Sequence, residues 1–186
     1  MSPGQPVFFY DLGDPESYLV AERITSELGV VAEWEPVLSA DLVAKRPAAD
    51  PVRLAERAQE LGLQPLRWPP GWPPDTRTAM LAATYAKRTG RTVSFSLAAF
   101  RQAFAGGRDL GRVDNVLIAA AAAEMHPSAV LKGIELRSVR DALTAATSRA
   151  MAAEVAELPA IQIGTRVFAG AEALQAAVTS VGASAG

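Results

Sequence analysis

Asp14, Glu16 and Ser17 bring two carboxylates and a hydroxyl together within four residues. A carboxylate in such a group can act as a general base on a neutral substrate or take a proton from a thiol. A second carboxylate nearby can raise the pKa of one of the two into a useful range. Structural roles fit the same residues, because Asp14 before Pro15 is typical of a helix N-cap and Ser17 of a first-turn serine that satisfies the backbone. Both interpretations stay open, and capping is the favoured one for Asp14.

Other reactive side chains are scarce. The 186 residues include no cysteine, which excludes disulfide exchange by the chain's own side chains, thiol nucleophiles and thiolate zinc sites. The single histidine, His126, precedes Pro127 and fits a helix end better than a ligand or catalyst, so no metal site is expected.

Charge and hydropathy exclude two classes of partner. The net charge is −2 and no basic block occurs, so nucleic acid is not expected as a partner. The longest strongly apolar run, Val116 to Ala123, is far shorter than the roughly 20 residues of a membrane span. The first six residues carry no positive region and no long apolar stretch, so the expected location is the cytoplasm.

The elements that position Asp14 form a strand–helix–strand unit. An apolar run over Val7–Leu12 predicts a buried strand. The helix that begins after Asp14 is predicted to end at Gly29. Val30–Val37 predicts a half-exposed edge strand, because the acidic Glu33 and Glu35 alternate with apolar residues and are expected to face solvent.

The rest of the chain is mostly helical. A proline-rich loop over Gln64–Pro74 interrupts the helices of the middle, and a helix starts after it at Asp75. A long helix over Ser138–Glu157 is broken by Leu158-Pro159. Two strands at 160–163 and 166–169 are joined by a two-residue turn, which predicts a hairpin before a last helix at 171–181.

This order of elements, with a proline just before the third strand, resembles the thioredoxin fold, and the helical block resembles its DsbA-like branch. Within that branch the chain resembles 2-hydroxychromene-2-carboxylate isomerases and kappa-class glutathione transferases. Four stretches carry the likeness: Phe8-Phe9-Tyr10-Asp11-Leu12 through Ser17-Tyr18-Leu19, Pro74-Asp75-Thr76, Phe100-Arg101-Gln102-Ala103-Phe104 before Gly107-Arg108-Asp109, and Leu158-Pro159-Ala160 through Val167-Phe168-Ala169-Gly170.

The resemblance implies an α/β, thioredoxin-like fold with a four-stranded sheet and a large all-helical insertion. Residues 1–38 and 136–186 would form the thioredoxin-like domain, and residues 39–135 the helical insertion. The resembled families commonly pair, so a homodimer is expected.

The resemblance also implies a thiol site. In these relatives a serine replaces the first active-site cysteine and holds the thiolate of bound glutathione. Asp14 stands at that position here, where its carboxylate would repel a thiolate, and Ser17 stands at the second position. A cis Leu158-Pro159 peptide would present its backbone to the ligand. Glu172 matches the acidic residue that meets the amino group of glutathione, although a solvated glutamate in the first turn of the last helix fits it equally well.

Further binding residues follow from the same likeness. Asp75 and Thr76 match a polar pair at the pocket rim, although Asp75 also fits a helix cap. Tyr18 and Trp68 are aromatic candidates for lining an apolar cavity, although aromatic residues more often belong to the core.

Two classes of function fit the sequence. One is an isomerase or transferase that uses glutathione or another low-molecular-weight thiol on an aromatic or conjugated small molecule. The other is a binding or regulatory protein whose thioredoxin-like scaffold lost its chemistry when Asp14 replaced the family serine.

Overall fold

The computed structural model describes residues 4–42 and 49–184. Four strands and ten α-helices occur within these ranges, and a π-helical turn over Arg101–Ala105 continues the sixth helix. In chain order they are β1 Val7–Tyr10, α1 Pro15–Ala21, α2 Ile24–Glu27, β2 Glu33–Pro36, α3 Ser39–Leu42, α4 Pro51–Glu60, α5 Arg77–Arg88, α6 Thr92–Phe100, α7 Val113–Ala122, α8 Pro127–Glu135, α9 Arg137–Ala152, β3 Ala160–Ile163, β4 Arg166–Ala169 and α10 Ala173–Ser184.

The strands form one mixed sheet in the order β2-β1-β3-β4. β1 runs parallel to β2, as expected when a helix connects two neighbouring strands, and antiparallel to β3. β3 and β4 form the predicted hairpin, in which Gly164 adopts a φ of +60° that few other residues tolerate. The predicted four-stranded sheet and the edge position of β2 are confirmed.

Side chains alternate between two apolar layers along β1. Phe8 and Tyr10 belong to the larger core with helices of the middle segment, including Phe100. Phe9 faces the opposite way and packs with Ala146 and Ala150 of α9. Both sheet faces are therefore covered, and the larger core contains residues from both sides of the predicted domain boundary at 38/39. The boundaries themselves stay predictions.

The second strand differs from its prediction. It begins at Glu33, and Val30 and Val31 before it are 43% and 79% exposed. Glu35 was predicted to face solvent but is buried, because Lys87 Nζ and Arg149 NH2 contact its Oε2 at 2.7 and 3.0 Å. Two cations from α5 and α9 compensate the cost of burying this carboxylate.

Three of the predicted helices also differ from the structure. The first helix is two short helices, α1 and α2, separated at Glu22 and Arg23, where the Arg23 N–H bonds to the Val20 carbonyl three residues back. α9 ends at Ala152, with Glu154 at a φ of +60°. The last helix begins at Ala173 rather than Ala171.

Candidate functional site

The N-terminal turn of α1 brings the two predicted catalytic residues together. The Asp14 Oδ2 atom accepts hydrogen bonds from the Ser17 N–H at 2.9 Å and from the Ser17 hydroxyl at 2.5 Å. Asp14 has extended backbone angles and Pro15 fills the first helical position, so the predicted N-cap is confirmed. Both side chains are buried, with 3% and 0% of their surface exposed. The catalytic role of the pair stays a prediction.

Asp11 fixes the loop that leads into this turn. Its Oδ1 accepts the Gly13 N–H at 2.9 Å and its Oδ2 accepts the Ser39 N–H at 2.9 Å, while its carbonyl accepts the Asp14 N–H at 3.0 Å. This carboxylate therefore ties the end of β1 to the start of α3. No local pattern indicates this role of Asp11, because it lies within an apolar run and its partner Ser39 is distant in sequence.

A first cleft of about 280 Å³ opens beside Gly13 at the carboxyl ends of the parallel strands β1 and β2. Crevices at this edge of an α/β sheet are common ligand sites. The predicted rim residues Asp75 and Thr76 line it, and Asp75 also bonds to the Arg77 N–H at 3.0 Å at the start of α5. The full lining is Asp11, Gly13, Leu38, Ser39, Ala40, Pro73, Pro74, Asp75, Thr76 and Arg77.

The Leu158-Pro159 peptide is cis, as predicted. Ala160 pairs with Phe9 in the antiparallel register, so the preceding proline lies alongside the end of β1. The Pro159 carbonyl accepts the Gly170 N–H at 2.8 Å, and the Leu158 side chain packs beside Phe9. Direct contact of this peptide with Asp14 and Ser17 stays a prediction. A second cis bond, Trp72-Pro73, was not predicted.

Arg57 of α4 joins the α1 turn to the start of α10. Its Nη2 donates to the Ala171 carbonyl at 2.5 Å and lies 3.0 Å from Oε1 of Glu172, and its Nη1 lies 3.8 Å from Oε2 of Glu16. Glu172, predicted to meet a ligand amine, thus meets an arginine of the same chain. No pattern in the sequence indicates this contact, since Arg57 and Ala171 are 114 residues apart.

A second cleft of about 470 Å³ extends from this ion-pair cluster. Three basic and three acidic side chains line it, so it suits a ligand that carries both charges. Its lining is Arg23, Arg53, Glu56, Arg57, Glu60, Leu61, Ala171, Glu172, Leu174 and Gln175. The α1 turn lies between the two clefts, with Gly13 beside the first and Glu16 in contact with Arg57 of the second.

Burial raises the pKa of Glu16 above its ordinary value, although Arg57 and Arg53 oppose this, while Glu157 and Glu172 add to it. A raised folded-state pKa favours the native state below the unfolded pKa, and this contribution is lost as the pH rises through the folded value.

We therefore expect Glu16→Gln to change the pH dependence of stability. The free energy of unfolding of the wild-type protein should fall relative to that of the variant as the pH rises from about 4, near the unfolded pKa, and the difference should level off above the raised folded value. Urea denaturation at a series of pH values measures this. A difference that is constant with pH would contradict the shift.

The chain matches the family model described as a DSBA-like thioredoxin domain over residues 7–181. It belongs to this family. The family's usual disulfide chemistry is missing, because no cysteine occurs in the chain.

Solved structures extend the likeness to most of the chain. A 2-hydroxychromene-2-carboxylate isomerase superposes with a TM-score of 0.85 at 16% identity, covering 97% of this chain and 95% of that one. A probable DsbA oxidoreductase from Streptomyces coelicolor gives 0.76 at 16% identity, covering 95% and 88%. DsbA from Pseudomonas aeruginosa gives 0.61 at 10%, covering 97% and 86%. These identities establish the fold alone. A search of curated protein sequences gives no match.

The aromatic candidates line neither of the two clefts of this DsbA-like domain. Tyr18 is 2% exposed and stacks on Phe104 with ring centroids 5.7 Å apart. Trp68 is half-buried and meets Trp72 edge-on at 4.9 Å. His126 caps α8, where its side chain accepts the Ser128 N–H, as the helix-end interpretation predicted.

Metal-binding groups and membrane-spanning helices are both absent from the part of the chain that the structure describes. Residues 4–42 and 49–184 contain no group of three or more His, Cys, Asp or Glu side chains arranged to hold a metal ion. None of the helices in those ranges combines the length and apolarity needed to cross a bilayer.

Proposed function

We propose that the protein is a small-thiol-dependent isomerase or transferase that acts on an aromatic or conjugated small molecule, with glutathione or a similar thiol as its cofactor. The observation that carries the proposal is the Ser17 hydroxyl held 2.5 Å from the Asp14 carboxylate at a helix N-terminus. The likeness to a 2-hydroxychromene-2-carboxylate isomerase supports the isomerase class.

The charged side chains of the second cleft complement the charges of such a thiol. A peptide-like thiol carries carboxylates and an ammonium group, and the second cleft offers Arg53, Arg57 and Glu172 to these. The bound thiol supplies the nucleophile. Asp14 takes its proton, Ser17 orients that carboxylate through its hydroxyl and N–H, and the Pro159 loop borders the ligand.

A second candidate rests on the burial of the same pair. Ser17 has no exposed surface and its hydroxyl already donates to Asp14, so the two residues act together as the N-terminal cap of α1. This arrangement favours a binding or regulatory protein built on the DsbA-like scaffold. Under either candidate we infer a small-molecule ligand, a homodimer and a cytoplasmic location.

Calorimetric titration with glutathione tests the proposal through Asp14→Ser. We expect weak binding by the wild-type protein, because Asp14 accepts only the neutral thiol and repels the thiolate, and measurably tighter binding by the variant, which admits both forms. The cost in stability should be at most about 0.5–2 kcal/mol, since serine also caps helices well. Asp50→Ser, which replaces the cap of α4, is the matched control and should leave the affinity unchanged.

The other outcomes discriminate between the candidates. Tight wild-type binding that collapses in Asp14→Ser would identify the carboxylate as a binding or catalytic group. Negligible binding by all forms would reject glutathione and leave the binding-protein class ahead.

A further inference from the structure

Two buried polar atoms stand out, one in the proline-rich loop over residues 64–74 and one in the π-helical turn that this loop contacts. Among the described side chains that are not exposed, the Trp72 indole Nε1 and the Gln102 amide Oε1 are the buried nitrogen and oxygen atoms without a hydrogen-bond partner. Buried polar groups are nearly always paired, so each such exception calls for a physical explanation. One is a donor and the other an acceptor.

The surroundings of Trp72 are aromatic. Trp72 meets Trp68 edge-on at 4.9 Å, and Trp68 meets Phe104 at 6.4 Å with an interplanar angle of 82°. Gln102 and Phe104 both lie on the π-helical turn that continues α6. Turns of this kind widen a helix locally and occur frequently at functional sites.

Few backbone N–H groups are available to hold the 64–74 loop in place. Five of the eleven residues over 64–74 are prolines, which have no N–H. A hydrogen bond of 2.7 Å from the Arg67 N–H to the Phe104 carbonyl joins the loop to the π-helical turn. At its other end, Pro73 and Pro74 line the first cleft. The loop thus connects the cleft to the two unpaired atoms.

We propose that Trp72 Nε1 and Gln102 Oε1 are the recognition groups of a subsite for a planar aromatic ligand, reached from the first cleft when the 64–74 loop lifts. Trp68 and Phe104 form its walls. The ligand carries a carbonyl that accepts from the indole N–H and a hydroxyl that donates to the amide oxygen. The inference rests on the proposed function in that it gives the aromatic substrate its place.

Three neutral probes separate the two contacts: 4-hydroxyacetophenone carries both groups, acetophenone only the carbonyl, and phenol only the hydroxyl. We expect the wild-type protein to bind 4-hydroxyacetophenone most tightly in calorimetric titrations without any thiol. Trp72→Phe keeps a ring but removes the N–H, and should weaken binding of the two ketones by about five- to tenfold. Gln102→Leu should weaken binding of the two phenols by a similar factor. Trp34→Phe, which replaces an indole at β2, should leave all three affinities unchanged.

Two results would overturn the subsite. The first is an affinity, or an absence of binding, that is the same in wild type, Trp72→Phe and Gln102→Leu. The second is a coupling between the two substitutions in the stability of the ligand-free protein, measured by a double-mutant cycle, because it would mean that the two groups satisfy each other. Since no thiol is present, failure of thiol-dependent activity would not affect either result.

Discussion

Replacing Gly13 with alanine is expected to lower the free energy of unfolding by about 1–3 kcal/mol, the usual cost of overpacking a tight site. A Cβ at this position would lie 2.6 Å from Thr76 Cγ2 and 3.5 Å from Asp11 Oδ1. Thr76 is branched at Cβ and 9% exposed, so its methyl group has little freedom to move away. Either the first cleft or the loop before Asp14 must shift.

Gly182→Ala is the matched control for this measurement. Gly182 lies in α10, and a Cβ there would meet no atom within 4 Å. Alanine at such a helical position should raise the free energy of unfolding by about 0.5–1 kcal/mol, because glycine loses more backbone entropy on folding. Chemical denaturation of both variants separates the steric effect from the general effect of removing a glycine. Equal stabilities for the two variants would show that the Gly13–Thr76 contact is not tight.

Local rules explain what could be predicted from the sequence. Asp14 and Asp50 each precede a proline, and each caps the helix that follows through its own side chain. The turn between the last two strands requires a positive φ, which glycine adopts readily. In these cases the residue and its partner lie within a few positions, so residue type and spacing are sufficient.

Contacts between distant parts of the chain could not be predicted in this way. Asp11 bonds to Ser39, 28 residues away, and Glu35 is buried against cations from two helices. Alternation of polar and apolar residues predicted an exposed Glu35, because a pattern along one strand carries no information about what packs on it. Tyr18 is the opposite case. Its position on the helix next to the site suggested that it lines a cavity, but its ring stacks in the core.

Three sets of contacts hold the N-terminal turn of α1 in place between the two clefts. It is held from the sheet side by Asp11, from within by the Asp14–Ser17 hydrogen bonds, and from the helical side by Arg57. A ligand in either cleft therefore meets a turn that is already ordered, which reduces the entropy lost on binding. Of these three sets of contacts, the one made by Arg57 joins residues farthest apart in the sequence, and it is the most direct to test.

Arg57→Met is expected to lower the free energy of unfolding by about 1–3 kcal/mol. The ion pair with Glu172 contributes little, because that side chain is 76% exposed. The larger losses are the hydrogen bond to the Ala171 carbonyl and the charge beside the partly buried Glu16. Without that charge the pKa of Glu16 should rise further, so the stability lost with increasing pH should extend to higher pH than in the wild-type protein.

Arg53→Met, one turn earlier on the exposed part of α4, is the control: it also removes a positive charge that acts on Glu16, but no hydrogen bond to Ala171, and it should change stability by no more than about 0.5 kcal/mol. Urea denaturation of both variants from about pH 4, near the ordinary pKa of a glutamate, to about pH 8 measures the loss and its pH range. An Arg57→Met variant as stable as Arg53→Met would mean that the helical segment does not brace the α1 turn. In that case the order of the turn would depend on Asp11 and the Asp14 cap, and Glu172 would be free to meet a ligand amine.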